Sequence, residues 1–286
     1  MLTLFTLPKP SIDSHIRLIQ RNAIQSWKKL HPEIDIILMG DDAGIAETAK
    51  EFGVRHIPGI AKNEFDTPLL DSAFKTAAKE GRFDTLMFVN ADIIFLLDLI
   101  TAIETLKEKE LLPTGDSNAP DSNKSSLTVG RRVDLDVNYE IDFNGSSWPD
   151  KLARESKSNG VLHSWAGIDY FIFSKGMFAD LPPFAVGRVG WDNWMVAESR
   201  RKYSYTIDAT ACITAIHQNH GYSGNNAGPM RKTNLEALKN NSFTKDPRLA
   251  MTIEDCDRRL TPDGLKRNYL YWMPSMKRCL KYLLKR

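Results

Sequence analysis

The sequence predicts an α/β fold: a mostly parallel twisted sheet with helices on both faces, followed by a helical C-terminal extension. Three observations lead there. Strand-length apolar runs alternate with segments of helical period through the first half of the chain, the pattern of βαβ units. One apolar run, Thr85-Leu-Met-Phe-Val-Asn-Ala-Asp92, stops on a carboxylate, which puts that group at the carboxyl edge of a sheet, where open α/β folds bind ligands. With 286 residues and 42% hydrophobic content, the chain can bury one large core.

The elements follow in order. Leu2-Thr-Leu-Phe-Thr-Leu7 reads as a strand closed by Pro8-Lys9-Pro10. Ile16, Ile19, Ala23, Trp27 and Leu30 recur at helical spacing and predict a helix over 12–31. A second strand, Ile34–Met39, ends on Gly40-Asp41-Asp42, and a helix with Ile45, Ala46, Ala49 and Phe52 follows. Arg55–Ile57 is a short strand, and Leu69, Leu70, Ala73, Phe74 and Ala77 mark a helix over 68–80. The strand over 84–90 leads to a helix carrying Leu99, Ile100, Ile103 and Leu106. Residues 113–126 read as a mobile polar loop, Leu127–Val133 as a strand and 144–166 as irregular chain. Ile168–Phe173 and Ala211–Ile216 read as strands, 191–202 as a helix, and the chain from residue 223 as polar and helical.

Composition excludes several functions. The net charge of +2 gives no field to gather nucleic acid. There is no Gly-x-x-x-x-Gly-Lys-Ser/Thr loop and no Gly-x-Gly-x-x-Gly after the first strand, which argues against kinases, ATPases and nicotinamide enzymes. The three cysteines, Cys212, Cys256 and Cys279, form neither a disulfide framework nor a zinc spacing. No run approaches the ~20 apolar residues of a membrane span. The first residues lack the basic flank of a secretory signal, so a cytoplasmic location is expected. After Asp263 the chain carries seven cations and no acid. Residues 274–286 pattern as a basic amphipathic helix, suited either to the body of the protein or to peripheral contact with the anionic inner face of a membrane.

Four groups of residues carry chemistry. Asp92, with Asn90 beside it, is suited to a hard divalent cation, Mn²⁺ or Mg²⁺, that also grips a diphosphate. His217 and His220 follow a late apolar strand, and either one can complete that cation's shell, with His217 preferred; a loop histidine bonded to backbone accounts for the other. In Gly187-Arg-Val-Gly-Trp-Asp-Asn-Trp194, Asp192 sits between Trp191 and Trp194. A carboxylate held against aromatic rings gains proton affinity and becomes a useful base, and tryptophan faces suit an acceptor sugar; helix capping is the competing role for Asp192. Thr6 and Pro8 after the first strand, Asp41 and Asp42 after the second, Asp169 at a strand start, and Arg131 with Arg132 are candidates for nucleoside, sugar or phosphate contacts, against turn, capping and ion-pair roles.

This ordered set resembles the glycosyltransferases of the GT-A fold, whose strand-end Asp-x-Asp or shortened x-x-Asp motif binds the metal of the donor diphosphate. Asn90-Ala91-Asp92 matches that motif, with Asn90 in place of its first carboxylate. Asp192 matches the base at a helix start, and His217 or His220 the late metal ligand. Val89–Ile93, Gly167–Tyr170, Trp191–Trp194 and Ile216–His220 also look like strings of a group of bacterial and viral glycosyltransferase-like proteins. The resemblance covers roughly residues 1–222, leaving 223–286 as the extension. It implies transfer of a sugar from a nucleotide-diphosphate donor to a hydroxyl acceptor, a surface glycan being expected, with inversion at the anomeric carbon. A sugar nucleotidyltransferase would need a Gly-rich basic loop where Thr6-Leu-Pro-Lys9 stands. A glycan-binding module would show no affinity for nucleotides.

Overall fold

The computed structural model describes residues 1–113, 125–202, 205–221, 235–244 and 250–283. Most of the loop expected to be mobile, 113–126, lies outside them. Strands β1 (Thr3–Thr6), β2 (Asp35–Met39), β3 (Arg55–Ile57) and β4 (Thr85–Val89) run parallel in the order β4-β1-β2-β3. Helices α1 (Ser14–Leu30), α2 (Ile45–Phe52) and α3 (Leu70–Glu80) connect them, as the alternating pattern predicts. α1 starts where the Asp13 carboxylate accepts the Ile16 N–H at 2.8 Å, and its apolar stripe, Ile16 to Leu30, is buried.

The later strands complete two sheets. β5 (Ile93–Phe95) and α4 (Asp98–Glu108) follow β4; then come β6 (Ser126–Val129), β7 (Val133–Leu135), α5 (Trp148–Asn159), β8 (Val161–Leu162) and β9 (Tyr170–Ser174). α6 (Trp191–Lys202), β10 (Tyr205–Asp208) and β11 (Ala215–Gln218) precede α7 (Leu235–Phe243), β12 (Arg258–Thr261), β13 (Gly264–Arg267) and α8 (Trp272–Leu283). The large sheet has the order β13-β12-β10-β6-β9-β4-β1-β2-β3, and the small one β5-β11-β7-β8. In the large sheet β9 runs antiparallel to both β4 and β6, and β13 to β12; the remaining pairs are parallel. Alternate residues of β4 face opposite layers: Met87 and Val89 pack with α1, α2 and α4, while Leu86 and Phe88 pack with α3 and α6. Helices therefore cover both faces, as expected.

Several local expectations change. Leu127–Val133 is not one strand: the chain divides at Gly130, and Val133 enters the small sheet. Residues 144–166 contain α5, whose inward face is only Trp148 and Leu152, too short a stripe to stand out in a polar sequence. The late strand begins at Ala215, because the chain turns at Ala209–Ile213, where the N–H groups of Cys212 and Ile213 both bond the Ala209 carbonyl. The part after residue 222 is not only helical, since β12 and β13 extend the large sheet beyond β10.

Gly130 is required by its surroundings. A Cβ there would stand 2.0 Å from the Tyr170 hydroxyl and 3.1 Å from the Thr210 nitrogen. Tyr170 is fully buried at the centre of the sheet and has no space to retreat. Gly130→Ala is expected to destabilise the fold by about 1–3 kcal/mol through overpacking. Urea unfolding measures this, and the added Tyr170→Phe change should recover part of the loss. An unchanged midpoint in the single variant would show that the close approach is relaxed in solution.

Candidate functional site

The site forms where the two sheets meet. β4 ends at Val89, the chain turns through Asn90–Asp92, and β5 begins at Ile93. Three buried groups fix this turn. The Trp27 indole N–H donates to the Ile93 carbonyl at 2.9 Å. The Gln218 side-chain amide donates to the Asp92 carbonyl at 3.1 Å and to the Ile19 carbonyl at 2.7 Å. Asn22 donates to the Gln218 carbonyl oxygen at 3.0 Å. Helix α1 thus holds the backbone of Asp92 and β11 in one place.

Asp92, His217 and His220 come together, with one ligand atom from each within 4.8 Å of the others. His220 Nε2 lies 3.0 Å from Asp92 Oδ2, and His217 Nε2 lies 3.9 Å from the same oxygen. Asp92 Oδ1 is buried and has no hydrogen-bond partner. A buried carboxylate oxygen without a partner is costly and normally has one. A cation shared with two imidazoles would satisfy it, so the residues fit the ion that the sequence suggests. Burial opposes ionisation of Asp92, but His220, His217 and Lys9 outweigh it and hold the carboxyl below its ordinary range. Burial lowers the His217 pKa, against the pull of Asp92, which favours the neutral imidazole that metals bind.

A charged network continues from this cluster. His217 and Asp134 are register partners on β11 and β7, and His217 Nδ1 lies 3.1 Å from Asp134 Oδ1, although the ring is not aligned for a hydrogen bond. His163 Nδ1 lies 2.6 Å from the other oxygen of Asp134. Arg132 donates to Asp134 at 2.8 Å and to both oxygens of Asp169 at 2.8 and 2.7 Å. Asn90 donates to Asp169 Oδ1 at 2.7 Å. Asp169 reaches Asn90 because β9 pairs with β4 residue for residue, ending at Tyr170 opposite Val89. Sequence reading missed His163 and the linking role of Asp134, because cross-strand register between distant segments leaves no local signal.

Asp192 sits in the first turn of α6, partly buried. Burial pushes its carboxyl up to about 7; the Asp169 charge adds to the rise, while backbone N–H groups of Asn193 and Asp192 oppose it. The acid that Asn90 and Arg132 hold in place therefore tunes the candidate base.

The other predicted residues separate. Trp191 and Trp194 are core residues rather than sugar platforms. The Trp191 ring packs 5.4 Å from Phe88 and 5.0 Å from Phe171, and Trp194 packs 5.8 Å from Phe184. Each is only 5% and 7% exposed, which leaves no open face for a ligand. Arg131 is also committed elsewhere: its Nε donates to the His163 carbonyl at 2.6 Å and its guanidinium lies 4.3 Å over the Trp165 ring. The arginine in the network is its neighbour, Arg132. Asp41 and Asp42 both face Lys62, at 2.7 and 3.2 Å, and Asp66 joins them at 3.3 Å. Thr6 and Pro8 are buried at the end of β1, and the Thr6 hydroxyl has no partner.

No protein-family model matches the chain, and no curated protein matches it. Solved structures do. One is glucosyl-3-phosphoglycerate synthase from Mycobacterium tuberculosis in complex with Mn²⁺, UDP and phosphoglyceric acid: 14% identity, TM-score 0.46, covering 88% of this chain and 79% of that one. Another is residues 1–349 of TarS from S. aureus: 10% identity, TM-score 0.46, covering 76% of this chain and 60% of that one. A third is HddC from Yersinia pseudotuberculosis, at 14% identity and TM-score 0.35, covering 64% of this chain and 80% of that one. Nothing about activity or substrate follows from likeness at that level.

Proposed function

We propose that this chain is a metal-assisted glycosyltransferase of the GT-A type, moving a sugar from a nucleotide-diphosphate donor to a hydroxyl acceptor. The observation that carries this reading is the Asp92–His217–His220 cluster with its unpartnered carboxylate oxygen; beside it Asn90 holds Asp169, whose charge adds to the burial that pushes the Asp192 carboxyl up to about 7. Asp92, His217 and His220 would hold Mn²⁺ or Mg²⁺, whose chemistry is to neutralise charge gathering on the departing diphosphate. Two imidazoles favour a transition ion such as Mn²⁺ over Mg²⁺.

The chain's own residues supply the rest. Asp192 accepts the acceptor hydroxyl's proton as that oxygen attacks the anomeric carbon, and a dedicated base favours inversion there. Asp169 and Asn90 would hold donor hydroxyls, and Arg132 fixes Asp169 in place through both carboxylate oxygens. Thr6, Pro8, Asp41 and Asp42 line the ends of the first two strands, the expected seat of the nucleoside. The exposed Asp41 can exchange its Lys62 contact for a ribose hydroxyl at little loss. A surface glycan is the acceptor class we favour.

A thermal-shift panel of nucleotide sugars, each with and without Mn²⁺, tests this. One donor with Mn²⁺ should raise the midpoint, since a ligand at 100 times its Kd adds ~2.7 kcal/mol. Stabilisation by glycans but by no nucleotide would instead support a glycan-binding module and reject sugar transfer.

A further inference from the structure

Helix α8 and the residues leading into it present an apolar stripe that the described body does not cover. Trp272, Met276 and Leu280 recur every four residues, so they share one side of the helix; they are 48%, 53% and 55% exposed. Tyr269 and Leu270, just ahead, are 73% and 61% exposed. The start of the helix is anchored. Asn268 is buried and donates to the Cys256 carbonyl at 2.8 Å, and the Arg200 guanidinium lies 4.3 Å over the Tyr271 ring. The stripe is therefore held outward by fixed contacts at its base. No helix among the described residues is long and apolar enough to cross a membrane.

Charge says what covers this stripe. From Lys266 to Arg286 there are seven cations and no acid. Lys266, Arg267 and Lys277 are exposed beside the apolar residues; Arg267 lies 5.4 Å from the Tyr269 ring, and Lys266 pairs at 2.7 Å with the exposed Asp263, a surface contact it can exchange for a lipid phosphate at little loss. A second copy of this chain would set cations against cations. An anionic bilayer accepts both features at once, with aromatic and aliphatic side chains at headgroup depth and lysine or arginine on lipid phosphates.

We propose that Tyr269, Leu270, Trp272, Met276 and Leu280 dock on the surface of an anionic membrane, with Lys266, Arg267 and Lys277 contacting its headgroups. This places the docking element on the hairpin and the start of α8, rather than only on residues 274–286. It holds whether or not the chain transfers sugar.

The test is co-sedimentation of the full chain with phosphatidylcholine vesicles and with vesicles rich in phosphatidylglycerol. Binding should require the anionic lipid and fall with added salt. Trp272→Ser with Leu280→Ser should weaken binding about tenfold or more, and Arg267→Glu with Lys277→Glu should weaken it similarly. These positions are exposed, so thermal midpoints should match the parent and exclude misfolding. Equal binding to neutral vesicles, no binding, or binding unchanged in both variants would overturn the proposal. So would a concentration-dependent dimer that the Trp272 and Leu280 changes abolish.

Discussion

Asp192→Asn is expected to remove turnover while leaving donor binding close to that of the parent. The substitution keeps size and shape but removes the proton acceptor, and a positioned base contributes about 10²–10⁴-fold. In the parent the carboxyl is pushed up to about 7, chiefly by burial. It accepts a proton only when ionised, so kcat should rise about tenfold per pH unit below that value and level off above it. Stability supplies a second signature, of opposite sign. The folded state holds the Asp192 proton up to about 7, whereas the unfolded chain releases it near 3.8. Between those values the native state binds more protons, so rising pH destabilises the parent through this group. Asparagine carries no such penalty. At pH 8 the variant should be the more stable protein, by about 1–3 kcal/mol once the partial solvent access of the side chain is allowed for. Near-parental turnover would remove Asp192 from the mechanism, and an unchanged pH profile of stability would show that it is not held in its neutral form.

Asp92→Asn should abolish Mn²⁺-dependent stabilisation by the donor and lower kcat by about 10²–10³, the scale of losing one fixed electrostatic contact to a transition state. The local fold should survive, because the Asp92 backbone is held by Gln218 and its neighbour Ile93 by Trp27, rather than by the carboxylate. Direct Mn²⁺ titration by electron paramagnetic resonance separates this from a general loss of activity. His220→Ala and His217→Ala should each weaken the ion. If Asp92→Asn bound Mn²⁺ as the parent does, the ion would belong elsewhere and the sugar-transfer reading would lose its main support.

Much of the architecture was legible from the chain. The helices over residues 14–30, 70–80, 98–108 and 191–202 and the first four strands announce themselves because burial imposes its period on local sequence. β10, β12 and β13 are four-residue strands that carry too few apolar positions to show one. The tryptophans flanking Asp192 were misread for a related reason: a polar neighbourhood in sequence says nothing about which layer a ring enters.

Composition and pattern alone determined that this is an α/β protein with a carboxylate at a strand end, two late histidines and a cationic, acid-free C-terminal stretch. The tertiary structure decided that these histidines face Asp92, that Arg132 rather than Arg131 joins the network, that His163 belongs to it, and that the α8 stripe points outward. Periodicity is written in neighbouring residues. Register and facing depend on pairings between segments up to about two hundred residues apart, such as Gln218 with Ile19, which arise only when the whole sheet assembles.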